Sequence, residues 1–172
     1  MKKILLLLVL AFTFFSCDDG DLTLEEIDLT TTADVDACTI QSGVTLLFKI
    51  NASESLILEA PADLIINEVT EDEESVRTKT LNSQAFCYYR SFESNITTGY
   101  FCDELPSDIG ITLEYTAVSG TVEVTTTEAL EGTVLTGYDH LIILKDVVFT
   151  GTNGQDVRYA EFEYGMVTTP LE

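Results

Sequence analysis

The sequence predicts an all-β protein, an antiparallel β-sandwich that follows a flexible acidic tether. From Cys38 onward, short segments rich in Val, Ile, Thr, Tyr and Phe alternate with clusters of Gly, Asn, Asp and Pro. No segment repeats apolar residues with the 3.6-residue period of a helix over three turns. Hydrophobic residues make up 45% of the 172-residue chain, which is enough to bury a core. The spacing of the segments favours about eight or nine strands in an immunoglobulin-like or related sandwich over a barrel.

The first 16 residues have the pattern of a signal peptide. Lys2 and Lys3 form a positive start, and an apolar run of 12 residues follows at 4–15. A transmembrane helix needs about 20 apolar residues, so this run is too short to span a bilayer.

The junction after this run predicts a lipid anchor. Ordinary signal peptidase requires small residues, whereas a cut here would leave Phe14 or another bulky residue near the site. Ser16 followed by Cys17 resembles the lipobox of bacterial lipoproteins, with Phe14 and Phe15 in place of its usual Leu and small residue. The resemblance implies that the chain is cut before Cys17 and that its thiol is acylated, with palmitate or similar chains. The alternative is a secreted protein with a free cysteine near its start.

Residues 17–37 are predicted to form the tether between the lipid and the domain at 38–172. The segment is rich in Asp, Glu and Thr, and such chains repel themselves and stay extended. An alternative of equal weight places an edge strand at 22–29.

In the first half of the domain, strands are predicted at 44–50, 56–58, 64–69, 77–81 and 85–92. In the first of these, Val44, Leu46, Phe48 and Ile50 alternate with Thr45, Leu47 and Lys49, which indicates a half-buried strand. Residues 71–74 are all acidic and predict a solvated turn.

In the second half, the apolar positions change parity between 111–117 and 118–125. Because side chains alternate with a period of two, this change requires an extra residue, and Ser119-Gly120 is predicted as a bulge or sharp bend. Residues 141–144 are apolar on both faces, which indicates a central strand. Segments 147–150 and 157–164 are joined through Asn153-Gly154, a strong hairpin signal.

Three cysteines remain beyond Cys17. We predict a Cys38–Cys102 disulfide because both residues flank loops, whereas Cys87 lies within a strand and is expected to be a buried free thiol. On the chain-entropy account, the bridge is worth roughly 4 kcal/mol. A Cys87–Cys102 bridge is the competing pairing.

The charge of the chain excludes two classes of partner. The sequence has 8 Lys and Arg against 30 Asp and Glu, a formal net charge of −22. Nucleic-acid binding needs clustered cations, and so does electrostatic adhesion to anionic lipid. Contact with a membrane is therefore expected only through the N-terminal lipid.

Catalytic motifs are not found in the sequence. Asp139 adjoins His140, the lone histidine, but adjacent residues in a strand face opposite ways, so Asp139 cannot orient a catalytic imidazole. We expect His140 at the rim of the fold, at a strand end. No nucleophile-elbow or nucleotide-binding motif is present, and we predict a non-enzymatic protein without a cofactor. A carboxylate-dependent hydrolase is the less favoured alternative, and it would need two acids facing each other in a cleft.

Acidic clusters make a Ca²⁺-stabilised adhesion module a further alternative. None of the clusters follows the calcium-loop pattern, and we therefore predict no metal ligand. The clusters are Asp18, Asp19 and Asp21; Asp34 and Asp36; the acids at 71–74; and Asp103, Glu104 and Asp108.

Aromatic residues cluster in the middle third of the chain, at Tyr88, Tyr89, Phe92, Tyr100 and Phe101. The main expectation is that they fill the core. One of Tyr88 and Tyr89 must face outward, so these two are the candidates for contact with a protein or glycan partner.

Several features together resemble small lipoproteins of the Bacteroidota, of the flavobacterial type. They are the short apolar run, the Ser16-Cys17 junction, the acidic residues after Cys17, the Tyr100-Phe101-Cys102 segment, the Ser-Gly-Thr-Val-Glu-Val strand and the late Lys145-Asp146 strand. The resemblance implies a lipid-anchored outer-membrane protein on the periplasmic face or, slightly favoured, on the cell surface. It implies no particular activity, so we expect a binding or structural module of the envelope.

Overall fold

The computed structural model describes residues 32–41, 43–105 and 107–171, and within them it is almost entirely β-structure. A 3-10 turn at Glu73–Ser75 and a four-residue helix, α1, at Gly99–Cys102 are the helical elements of these ranges. The predicted all-β antiparallel class is therefore confirmed. The eight strands are β1 (Asp36–Gln41), β2 (Val44–Asn51), β3 (Glu54–Pro61), β4 (Arg77–Thr80), β5 (Phe86–Phe92), β6 (Ile111–Glu131), β7 (Val134–Gly151) and β8 (Asp156–Pro170).

All eight strands belong to one antiparallel sheet with the order β1-β2-β3-β5-β6-β7-β8. The long strand β6 pairs with β5 through its first part and with β4 through Thr121–Val124. The sheet curls into a half-barrel, so its two halves face each other across a shared core, as the two layers of a sandwich do.

The curl begins at a bend in β6. The register between β6 and β7 shifts on both sides of Ser119, and Gly120 has a φ of +114°. Tyr115 and Ala117 face the core before the bend, whereas Val122 faces it afterwards. The bend predicted at Ser119-Gly120 is confirmed.

The neighbouring strands change parity at the same level of the sheet. In β7 the core-facing residues pass from Leu144 to Val147, and the exposed Asp146 between them has a φ of +48°. In β8 they pass from Tyr159 to Phe162. Since three adjacent strands bend along one line, the whole sheet folds over rather than one strand alone.

The core lies between the two halves of the sheet and draws residues from nearly every strand. Tyr164 crosses this core from β8, and its buried hydroxyl lies 2.9 Å from the Leu47 carbonyl and 3.1 Å from the Leu56 carbonyl. Burial raises the pKa of the Tyr164 phenol well above its ordinary value, so the group stays a donor. The fully buried side chains include Leu47, Leu58, Val122, Val124, Ile142, Leu144, Phe149 and Tyr164.

The opposite face of the sheet carries a smaller apolar cluster beneath α1. Leu46, Phe48 and Ile57 are buried there, and the Phe101 ring of α1 lies 4.4 Å from the Phe48 ring. This second cluster explains why β2 and β3 are apolar on both faces.

The predicted Cys38–Cys102 disulfide is present and ties α1 to β1. Cys87 is free and fully buried in the core, as expected. Burial raises the pKa of the Cys87 thiol strongly, which leaves it unreactive in the folded protein.

Two turn predictions are also confirmed. Asn153 and Gly154 lie in the β7–β8 connection, where Gly154 has a φ of +80°. In the acidic segment, Asp72 caps the 3-10 turn by accepting a 2.9 Å hydrogen bond from the Ser75 amide.

The predicted signal peptide and Cys17 lie outside the described residues, and so does the alternative strand at 22–29. Of the predicted tether, residues 32–37 are described. Val35 packs against the core, and β1 begins at Asp36, two residues before the predicted domain boundary at Cys38.

Gly120→Ala is expected to destabilise the fold by at least about 2 kcal/mol. An added β-carbon would lie 2.8 Å from the Lys145 carbonyl oxygen and 2.8 Å from the Val147 Cα, at a φ that disfavours side chains. The matched control is Gly132→Ala, since Gly132 also has a positive φ, of +66°, but no atom within 4 Å of the added carbon. Urea unfolding should show a loss for Gly132→Ala of about 1 kcal/mol; equal losses for both variants would contradict the bend.

Candidate functional site

A pocket opens where β8 passes over β2, at the seam between the two ends of the curled sheet. Its volume is about 520 Å³, within the range of small-molecule sites. It is lined by Thr32, Lys49, Tyr159, Glu161, Phe162, Glu163 and Gly165.

A β-bulge in β8 shapes the wall of this pocket. Gly165 pairs with Ile142 and Glu163 with Ile143, so Tyr164 is the extra residue between them. Gly165 has a φ of +140°, and a β-carbon there would lie 2.6 Å from the Val35 Cγ2 atom. A glycine is therefore required for β8 to approach the chain that enters β1.

Lys49 is the unusual residue of the pocket. The whole residue is only 7% exposed, which is rare for a lysine. Burial lowers the pKa of Lys49, while the negative charges of Glu163 and Asp34 act in the opposite direction. Burying a cation costs free energy, which these two nearby negative charges partly offset.

The acids of the pocket differ in their surroundings. Glu161 forms an ion pair with Lys145 on the neighbouring strand β7. Glu163 acts on Lys49 through its charge and makes no ion pair within the described residues. The pocket is therefore lined by one largely buried lysine, two glutamates and the buried ring of Phe162, which suits a small polar molecule with an apolar part.

Sequence reasoning missed Lys49, although a signal was present. The alternation in β2 places Lys49 on the face opposite Leu46 and Phe48, which a half-buried strand would expose to solvent. Leu47 lies on that same face, two residues earlier, and is fully buried. A large apolar residue within a nominally polar face indicates burial on both sides, and this makes the lysine conspicuous.

The two predicted tyrosine contacts lie apart from the pocket. Tyr89 faces the core and is only 5% exposed. Tyr88 lies on the opposite face of the sheet, with the Arg90 guanidinium 5.0 Å above its ring and Glu114 2.6 Å from Arg90. Burial is the main reason that the Tyr88 pKa is raised. Tyr88 thus remains the outward member of the pair.

His140 is not at the rim, as the sequence had suggested, but fully buried inside β7. The sequence concealed how far β7 continues before His140, since Val134–Asp139 is only weakly apolar. The His140 Nδ1 atom lies 2.8 Å from the Thr126 hydroxyl, and its Nε2 atom lies 2.9 Å from the Thr169 hydroxyl.

The direction of these hydrogen bonds sets the protonation of His140. Arg77 donates to the Thr126 hydroxyl, which is then free to donate to Nδ1 of His140. The Thr169 hydroxyl donates to Asn67 at 2.5 Å and accepts from Nε2. The imidazole is therefore neutral with its proton on Nε2. Burial lowers the His140 pKa, and the positive Arg77 lowers it further against the opposing Asp139.

This hydrogen-bonded chain fixes the long loop between β3 and β4 over the core. Arg77 also donates to the carbonyls of Leu64 at 3.0 Å and Glu68 at 3.1 Å. The amide of Asn67 donates to the Pro170 carbonyl at 3.2 Å. His140 thus lies at the centre of a buried hydrogen-bonded chain that holds this loop.

The acidic clusters do not assemble into a metal centre in the described ranges. No group of three or more His, Cys, Asp or Glu side chains there is placed to hold a metal ion. The cluster of Asp18, Asp19 and Asp21 lies outside those ranges. Across the part of the chain that the structure describes, no helix has the length and apolarity to span a membrane.

Comparisons with known proteins do not identify a family for this chain. No protein-family model matches the chain, and no curated protein or solved structure matches it either.

Acid is expected to destabilise the protein through His140. Because the folded-state pKa lies below the ordinary 6.5, the unfolded chain binds more protons, and stability is lost as the pH falls below about 6.5. One proton contributes at most about 1.4 kcal/mol per pH unit. Urea unfolding between pH 7 and 5 should show a shallower decline for His140→Gln than for the unsubstituted protein, after subtracting their difference at pH 7. Parallel profiles would contradict the buried neutral imidazole.

Proposed function

We propose that this chain is an exported, lipid-anchored protein of the outer membrane and acts there as a non-enzymatic binding module. The observation that carries the export is the Cys38–Cys102 disulfide. Structural disulfides persist in oxidising compartments and are rare in reducing ones. The bridge holds α1 against the small apolar cluster, so it has a structural role in the domain.

Attachment through Cys17 is supported by the residues around it. The apolar run at 4–15 ends at Ser16-Cys17, and acidic residues follow directly. A net charge of −22 would repel an anionic membrane surface, so attachment requires acyl chains on the cysteine. Fully extended, the chain from Cys17 to Thr32 reaches about 50 Å, enough to hold the domain clear of the headgroups.

A binding role is supported by the pocket at the seam of the sheet. Its lining combines a buried cation, acids and aromatic rings, which are the features of a site that orients a small ligand. A carboxylate-dependent hydrolase is a second candidate because Glu161 and Glu163 line the same pocket. Glu161 is already engaged in the ion pair with Lys145, which disfavours it as one of two facing catalytic acids.

Cys17→Ala is expected to move the protein from the membrane fraction to the soluble fraction, because it removes the acylated thiol. The measurement is fractionation of the native host, with mass spectrometry of the N-terminal peptide of the unsubstituted protein to detect the acyl chains. Cys87→Ala is the matched control, since Cys87 is a buried core thiol and its loss should leave the protein in the membrane fraction.

Thiol counting provides an independent check of the same proposal. The unfolded, unreduced protein should expose one free thiol, at Cys87, because Cys38 and Cys102 are bridged and Cys17 is acylated. A second free thiol at Cys17, or a membrane-bound Cys17→Ala protein, would refute the anchor.

A further inference from the structure

We propose that a proton on His140 releases the β3–β4 loop, residues 62–76, from the sheet, so that this loop is a lid over the core that opens in acid. The imidazole takes the proton from solvent, and the curled sheet itself stays folded. The inference goes beyond the proposed binding function and does not depend on it.

The loop is attached to the sheet through the two threonines that contact the imidazole. The Thr70 amide donates to the Thr126 carbonyl at 2.9 Å, and the Thr126 amide donates to the Thr70 hydroxyl at 2.9 Å. Asn67 accepts a 2.5 Å hydrogen bond from the Thr169 hydroxyl. Because Thr126 and Thr169 are the partners of Nδ1 and Nε2, a change at the imidazole reaches both attachments.

The direction of the hydrogen bonds leaves no place for a second proton on the ring. Arg77 donates to the Thr126 hydroxyl, and that hydroxyl donates its own hydrogen to Nδ1. A proton on Nδ1 would face this hydrogen, so the Thr126 hydroxyl would have to turn and lose its acceptor. A buried donor without an acceptor is costly, and the cost is relieved when the loop moves and water enters.

The charges around His140 also oppose a proton there. The Arg77 guanidinium of β4 is the positive group beside the imidazole, and Asp139 acts in the opposite direction. Asp139 precedes His140 in β7 and therefore points to the other face of the sheet. Glu68 of the loop acts on Arg77 through its charge, and Glu128 of β6 is exposed. The imidazole's partners from β6 and β8 are uncharged, so an imidazolium would lie beside a guanidinium.

The loop is the element that can yield without unfolding the sheet. Within residues 62–76, Leu64 is fully buried, and the other side chains are half-buried or exposed. By contrast, β6 and β7 pair with each other along most of their length. Segments with few buried apolar contacts open locally before the whole domain unfolds.

The sign of the effect follows from the two states of the loop. In the closed state burial, and then Arg77, lower the His140 pKa, whereas hydration in the open state returns it toward 6.5. The closed loop therefore keeps its full stability above pH 6.5 and loses it as the pH falls below that value. The ratio of open to closed loop rises by up to about tenfold per pH unit.

Amide hydrogen exchange of the full-length protein in detergent, at pH 7 and pH 5, tests this directly. Carboxylates with ordinary pKa values are still mostly ionised at pH 5. After correction for intrinsic exchange rates, the Thr70 amide should lose protection about tenfold, while the amides of Val122 and Leu144 in β6 and β7 keep theirs. Equal losses in the loop and in these strands would mean that the whole domain unfolds, and would overturn the proposal.

His140→Gln should abolish the pH dependence of Thr70 exchange, because glutamine does not titrate in this range. Asp72→Asn is the matched control, since Asp72 is a titratable group within the loop and asparagine can replace it as the cap of the 3-10 turn. The control should keep the pH dependence. Persistence in His140→Gln, or loss in Asp72→Asn, would contradict the assignment to His140.

A second measurement needs no variant. His140 is the lone histidine, so in protein prepared without a histidine tag its imidazole NMR signals are assigned directly. The ring should titrate with an apparent pKa below 6.5, and Thr70 should lose protection over the same pH range. Titration of the ring while the loop amides keep their protection would show that the proton does not release the loop.

Discussion

The fold depends on the contact through which Tyr164 joins the two ends of one sheet. Its hydroxyl reaches the carbonyls of Leu47 and Leu56, more than 100 residues away in sequence. A curled sheet has no second layer to close its core, so its own ends must meet. The shared bend through Gly120 and Asp146 brings the two halves of the sheet together. The bulge before Gly165 orients the Tyr164 side chain across the core.

The same closure creates the pocket. Where β8 passes over β2, the glycine at 165 allows close approach of the backbone, and Lys49 of β2 is enclosed at the seam. The proposed binding site therefore lies beside the bulge of β8, where the pairing of the strands is irregular. Elsewhere in the sheet, the chain of hydrogen bonds through His140 holds the β3–β4 loop. The proposed binding site and this hydrogen-bonded chain thus involve different residues of the sheet.

Much of the fold could be predicted because its signals are local. The period-two alternation identified most of the strands, although the strand predicted at 64–69 was wrong and lies in the β3–β4 loop. The parity change around Gly120 identified the bend, and the positions of Cys38 and Cys102 beside loops identified the bridge. The single continuous sheet could not be predicted, because the lengths of β6 and β7 are set by pairing with each other. Lys49 was not singled out, and His140 was wrongly expected at the rim, because their burial depends on the curl of the sheet, which is a tertiary property.

The most direct test of this account is Tyr164→Phe, which removes one hydroxyl and keeps the ring. The account predicts a loss of about 1–3 kcal/mol in the free energy of unfolding, together with faster amide hydrogen exchange in β2 and β8 than in β6. Tyr138→Phe is the control, since the Tyr138 hydroxyl makes no hydrogen bond within the described residues, and it should change neither quantity. Unchanged stability and exchange in Tyr164→Phe would contradict closure of the sheet through this contact.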